Sequence, residues 1–466
     1  MPVPSGTEIL VIASRNVILP GFEQPQAATI KVDIRTGTIT EIQQQYVYHP
    51  TLVSDPKIQW INAENKFVLP GLVDTHVHLQ EPGRTDWEGF WTGTRAAVSG
   101  GITTLVDMPL DSLPPTTTVA NLLRKRQAAI GQCWADVAFW GGAISGNQTQ
   151  LRPLADAGVK GFKCFLGDTG DEEFPWVTED ELSEHMEVIQ DIASQPILLF
   201  HAELDDSCAF KPVSEDPTLY DTYLNSRPER MEVDAISMIT RLQERYPSVP
   251  CHIAHLSASS ALPIIKNSKR RGLNLTVETC FHYLCLSATN QFNRHPEFKC
   301  SPPIRNDANR ELLWDALIDG TIDCVVSDHS PCALELKKLK EGNIMDALGG
   351  IHGLGLGLSL LWTEAKKRNV SIAQIVRWTS EATAELAGLS ALKGGITVGR
   401  DGDLVIWDPN AEFKVSNEHL RFKNKISPYK GLTLSGIVHQ TFLRGCLVYD
   451  IAHNGFDGLE AVGNLL

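Results

Sequence analysis

Eight short apolar runs recur through the middle of the chain, each long enough for one buried strand and too short for a helix. They are LVDTHVH at 72–78, ITTLVDM at 102–108, DVAFWG at 136–141, VKGFKCF at 159–165, PILLFHA at 196–202, PCHIAHL at 250–256, NLTVETC at 274–280 and IDCVVSD at 322–328. Stretches with helical character lie between most of them, such as residues 86–99 and 231–245. Strands that alternate with helices pair in parallel. Eight such units closing on themselves predict an α/β chain with a (β/α)8 TIM barrel.

The two ends of the chain read differently. From about Thr7 to Phe67, short β-type runs are separated by turn residues, with Thr36-Gly37-Thr38 placed as a hairpin turn. After Leu389 the pattern returns in GGITVGRDGDLVIWDP and GIVHQTFLRGCLVYD. The two ends are therefore expected to form one smaller flanking β-sandwich domain. The expected division is residues 1–68 and 395–466 for that domain and 69–394 for the barrel. A chain of 466 residues suits two such units.

The charge balance narrows the partners. Lys and Arg number 41 against 56 Asp and Glu, a formal net charge of −15. That leaves no basic surplus for nucleic acid or an anionic membrane. No apolar run approaches the roughly 20 residues needed to cross a bilayer, and the N-terminal sequence lacks the pattern of a signal peptide. Ten cysteines are scattered with no CxxC pair, as expected of reduced, mostly buried thiols. The expected location is cytoplasmic.

The chemistry collects at the ends of the runs. His76 and His78 close the first run two residues apart, so on a strand they share a face and can aim at one point. Asp74 shares that face and is placed to hydrogen-bond a ligand histidine from outside. Alone, the pair reads equally well as two polar strand-end histidines. The other runs repeat the theme, with His201 ending the fifth, His255 near the end of the sixth and Asp328 ending the eighth. Catalytic groups of barrels sit at these C-terminal strand ends, whereas core packing would favour apolar residues. Lys163 ends the fourth run between Phe162 and Phe165. Either burial holds its amine neutral, able to take up carbon dioxide as an anionic carbamate, or its stem packs and its charge reaches water.

The segment GLVDTHVHLQEPGRTDWEGF resembles the first-strand signature of the cyclic amidohydrolases, the family of dihydroorotases, hydantoinases (dihydropyrimidinases) and allantoinases. GFKCF is similar to the carboxylated-lysine strand of that family. FHAE, AHLS and SDHSP resemble its remaining metal-ligand strands in order, and GGITVGRDGDLVIWDP its C-terminal tail. The resemblance implies two divalent cations, zinc by preference and cobalt, manganese or iron as alternatives. Their implied ligands are His76, His78, Lys163 as N6-carboxylysine, His201, His255 and Asp328. It further implies Asp328 as the proton shuttle and a homo-oligomer, dimer or tetramer.

Within the family, EPGRTDWEGF, DMPLDSLPPTTT, SRPERMEVDAI and KNKISPYKGLTLSG resemble the allantoinase branch. Gln80 stands where dihydroorotases place an arginine for a substrate carboxylate, and Asp168 where hydantoinases place a tyrosine. The implied reaction is ring opening of (S)-allantoin, a small cyclic ureide, to allantoate in purine catabolism. The alternatives are a hydantoinase-type activity or a non-catalytic scaffold. The expected substrate contacts are Gln80, Asp111, Ser301, Ser330 and Gly350, the last through backbone groups of the Gly349-Gly350-Ile351 loop. Asp111 replaces a usual asparagine; it either accepts from substrate N–H groups or caps its own turn. Ser301 is either a ring contact or the start of a proline-rich loop. His252 is expected to point away from the site, His282 and His352 have no assigned role, Cys164 reads as a buried strand residue, and Trp87 and Trp91 read as helix packing.

Overall fold

The structure is a computed structural model that describes residues 6–48, 55–168, 170–204 and 216–466. The chain opens with four strands, β1 (Ile9–Val17), β2 (Gln26–Asp33), β3 (Thr38–Gln43) and β4 (Ile58–Pro70). Nine barrel strands follow: β5 (Leu72–Val77), β6 (Ile102–Asp107), β7 (Asp136–Phe139), β8 (Gly141–Gly142), β9 (Gly161–Phe165), β10 (Ile197–His201), β11 (Cys251–Ile253), β12 (Leu275–Cys280) and β13 (Cys324–Val326). The chain closes with β14 (Leu404–Lys414), β15 (Thr433–Leu443) and β16 (Cys446–Asp450).

Each of the eight apolar runs contributes to the barrel, with β7 and β8 sharing one run across Trp140. Every strand pair among β5 to β13 is parallel. The ring closes through a parallel bridge between Val77 and His329, with the His78 N–H donating to the His329 carbonyl at 2.9 Å. The strands are buried on both faces because helices cover the outside, which is why they read as apolar runs rather than as alternating patterns. The helix at Arg230–Arg245 falls where its pattern placed it. The one predicted over 86–99 begins only at Phe90, since Gly89 takes φ 119° and the residues before it form turns.

The end segments join as anticipated. Their seven strands form one sheet in the order β16-β15-β14-β4-β1-β2-β3. The sheet curls back on itself. A bridge between Thr38 and Asp401, and the Gly402 N–H donating to the Gly37 carbonyl at 2.7 Å, bring the β2–β3 hairpin onto the segment entering β14. An apolar cluster of Leu10, Ile30, Val68, Leu404, Phe442 and Leu447 forms the core of this domain. No helix among the described residues is long and apolar enough to cross a membrane. The described cysteines are free thiols.

Candidate metal centre

A cavity of about 180 Å³ opens at the C-terminal ends of the barrel strands, and His76, His78, Lys163, His201, His255 and Asp328 all line it. They fall into two adjoining groups. Asp328 Oδ1 lies 3.3 Å from His76 Nε2 and 3.5 Å from His78 Nε2, and donor atoms of these three residues lie within 4.8 Å of one another. His255 Nε2 lies 3.0 Å from His201 Nδ1 and 3.4 Å from Lys163 Nζ. The His76 and His255 rings, 5.2 Å apart, join the groups.

Local backbone explains how distant segments aim inward. His76, Lys163 and His201 sit on strands whose alternation points them into the barrel mouth. His255 and Asp328 lie beyond the ends of β11 and β13 and take φ of 39° and 43°, so they turn inward by leaving the strand.

The electrostatics suit bound cations. Burial holds the His76 imidazole below its ordinary pKa, and burial with Lys163 beside it holds His255 well below. Neutral imidazole is the form that ligates a metal, and the buried Nδ1 of His255 has no hydrogen-bond partner among the described residues. Burial also lowers the Lys163 amine, which is 1% exposed. Burial disfavours the Asp328 carboxylate, but His76, His78 and His255 outweigh it and hold the carboxyl well below its usual range. Burial likewise disfavours the His78 cation, yet Asp111 and Asp328 push that imidazole up to about 9. The residues present, imidazoles with a carboxylate and a depressed amine, fit divalent cations with nitrogen and oxygen ligands.

Carboxylates fix the histidines from behind, and they are not the ones the motif suggested. Asp74 accepts from the backbone N–H groups of His76 and Ser327, both at 3.2 Å, and from no ligand ring. The expected role falls to Glu278 on β12, which contacts His76 Nδ1 and accepts from the His255 N–H at 3.2 Å. His252 Nε2 lies 3.1 Å from the same carboxylate, so it stands behind the site and outside the cavity. Glu203 holds His201 Nε2 at 2.7 Å and is itself held by Arg227 at 2.7 Å. A carboxylate that orients a ligand histidine also raises its basicity.

The cavity wall brings together four of the five expected substrate contacts: Asp111, Ser301, Ser330 and Gly350. Gln80 is not among them. Its backbone turns at φ 61°, and its amide donates to the Pro331 carbonyl at 2.6 Å, so it supports the wall from behind. Gly350 must be glycine, since at φ 122° a Cβ would lie 2.1 Å from the Ser330 carbonyl oxygen. Its N–H donates to the Lys299 carbonyl at 2.9 Å, which fixes the loop against the segment before Cys300. Asp111 Oδ2 lies 2.9 Å from His78 Nδ1, and its other oxygen pairs with Arg84 at 3.3 Å. Trp87, read as helix packing, lines the cavity instead with Arg84 over its ring, whereas Trp91 packs on Trp134. Glu278, Glu203 and Arg227 were not singled out in the sequence. The available signal was a lone acid within an apolar run and the His-x-Glu spacing of His201 and Glu203.

The description of the amidohydrolase family matches residues 67–448, spanning the barrel and most of the closing strands. The chain belongs to the amidohydrolase family. Within this family it is similar to the allantoinase of Saccharomyces cerevisiae, 45% identical with 96% of each chain covered. It is likewise similar to the allantoinase of Streptomyces avermitilis, 46% identical with 94% of each covered. Among solved amidohydrolase-like structures, the L-hydantoinase (dihydropyrimidinase) of Arthrobacter aurescens superposes with a TM-score of 0.87 at 26% identity, covering 98% of this chain and 99% of that one.

Proposed function

We propose that the protein opens the hydantoin ring of allantoin by hydrolysis, giving allantoate. The observation that carries this reading is the convergence of four imidazoles, a lysine and an aspartate from five strand ends on one small cavity. The substrate is supported by the similarity to allantoinases over nearly the full chain. His76, His78, Lys163 as its carbamate, His201, His255 and Asp328 would hold two divalent cations, zinc by preference. Bound there, the cations supply Lewis-acid polarisation of a ring carbonyl and a water of lowered pKa.

The side chains supply the rest. Asp328, an anion facing His76 and His78, accepts the proton of the attacking water and returns it to the departing ring nitrogen. One C–O bond forms and one C–N bond breaks, so a neutral ring becomes an open-chain carboxylate. Asp111 accepts from a ring N–H, and Glu278 and Glu203 hold the ligand imidazoles in place. Trp87, Leu110 and Phe165 exclude water from the cavity, which strengthens every charge interaction inside it. The reading includes a cytoplasmic homo-oligomer.

The test is an assay of purified, metal-loaded protein on allantoin, hydantoin, dihydrouracil and dihydroorotate. Allantoin is expected to give the highest kcat/KM. A preference for hydantoin or dihydrouracil would assign the chain to hydantoinase chemistry instead, and no turnover of any of the four would sink the hydrolytic reading.

A further inference from the structure

We propose that a small side cavity beside the metal centre is the subsite for the ureido arm of the substrate, an inference that rests on the allantoin reading above. The cavity measures about 150 Å³ and is lined by Asp168, His201, Glu203, Arg227 and Met231 among others. His201 and Arg227 line the larger cavity as well, so a ring held at the metal centre has a neighbouring space for a substituent. At about 30 Å³ per water, the space is that of roughly five waters, ample for the four heavy atoms of a ureido group.

The lining suits that group chemically. A ureido arm offers one carbonyl acceptor and several N–H donors. Arg227 brings a guanidinium, held by its ion pair to Glu203 Oε2 at 2.7 Å, to serve the carbonyl. Glu203 is 3% exposed, and its second oxygen, Oε1, has no hydrogen-bond partner among the described residues. A buried carboxylate oxygen without a donor is costly, and a ureido N–H would satisfy it. Asp168 adds an acceptor at the rim, on a loop braced by the Gly170 N–H donating to its Oδ1 at 2.8 Å. Met231 forms an apolar wall. This lining discriminates a ureido substituent from a bare ring, because an arm-less substrate brings no N–H to Glu203 Oε1.

The experiment compares allantoin with hydantoin, which has the same ring without the arm. Hydantoin is read as a substrate or, if it is not turned over, as a competitive inhibitor of allantoin hydrolysis. The variants are Asp168→Ala, on an exposed loop that tolerates the change, and Met231→Trp, which fills the side cavity. Each is expected to lower kcat/KM for allantoin at least tenfold relative to the hydantoin reading, with bound metal unchanged. Wild-type protein that prefers allantoin, with variants that keep the same allantoin-to-hydantoin ratio, overturns the subsite and leaves the proposed function standing. Wild-type protein that opens hydantoin but not allantoin overturns both.

Discussion

Two buried clusters of charge in this molecule resemble each other in composition and differ in how they are balanced. One is the cavity cluster around Asp328. The other lies where the barrel meets the flanking domain and contains Asp136, Asp401 and Asp403, whose oxygens lie within 4.8 Å of one another, close enough to suit a cation. In this second cluster a protein cation already occupies the centre. Lys393 Nζ lies 2.5 Å from Asp136, 2.7 Å from Asp401 and 2.9 Å from Asp403, and Arg444 pairs with Asp136 as well. Around Asp328 the neighbours are imidazoles, two of them held neutral, and an amine that burial pushes toward its neutral form. Acids gathered around a lysine and an arginine make a staple. Histidines gathered around one acid make a receptor for cations from outside.

The largest contrast is expected on activity. Lys163→Ala is expected to lower bound metal and abolish turnover; near-normal metal content and activity would rule out a bridging carbamate. Asp328→Asn should keep much of the metal while kcat falls by about 10²–10⁴-fold, the usual worth of a general acid–base group. An active Asp328→Asn protein would remove the proton-shuttle role. At the other cluster, Lys393→Met leaves the buried Asp136 and Asp403 and the half-buried Asp401 without their shared cation. Breaking a buried pair costs about 3–5 kcal/mol, to be read from urea unfolding, while metal content of the folded fraction should not change. If Lys393→Met lost metal without losing stability, the distinction between staple and receptor would fail.

A smaller effect tests the support behind the ligands. Glu278→Gln is expected to weaken metal affinity about 10–100-fold, as is usual when a carboxylate that orients a ligand histidine is lost. Competition against a chelator measures this. Asp74→Asn, whose wild-type carboxylate accepts from the backbone N–H groups of His76 and Ser327 and meets no ligand ring, should move it much less.

The contrast between Glu278 and Asp74 also marks where sequence reading stops. The eight apolar runs announced the strands because a strand buried on both faces has no room for polar alternation. His76, His78, Lys163 and His201 were legible because each falls at or beside the C-terminal end of a run. His255 and Asp328 were legible by position, although alternation does not govern them, since both lie past their strands at positive φ. Glu278 was not legible, because its role exists only through contact with His76, 202 positions away in the chain. Asp74 looked equivalent on paper, sharing a face with His76, but backbone N–H groups take its carboxylate. Gln80 was misplaced for a related reason: its positive φ turns it toward Pro331 rather than into the cavity. Local periodicity gives elements and their ends; it does not give pairings across the barrel.

The smallest expected effect concerns the pH dependence of the staple. Burial opposes the charge on Lys393, but Asp403, Asp136 and Asp401 outweigh it and raise the amine above its ordinary pKa. A group whose folded pKa is raised contributes stability that is complete below its unfolded value, about 10.4 for lysine, and is lost as pH rises through the folded value. The lysine therefore contributes at full strength through neutral pH and loses its contribution in strong alkali. Urea unfolding of wild-type and Lys393→Met protein should differ by a constant amount from about pH 7 to pH 10, with the gap narrowing above that. Wild-type protein that instead gained stability over the variant between about pH 7 and pH 9 would mean that Lys393 titrates as an isolated buried amine, below its unfolded pKa, and that the three aspartates do not hold its proton.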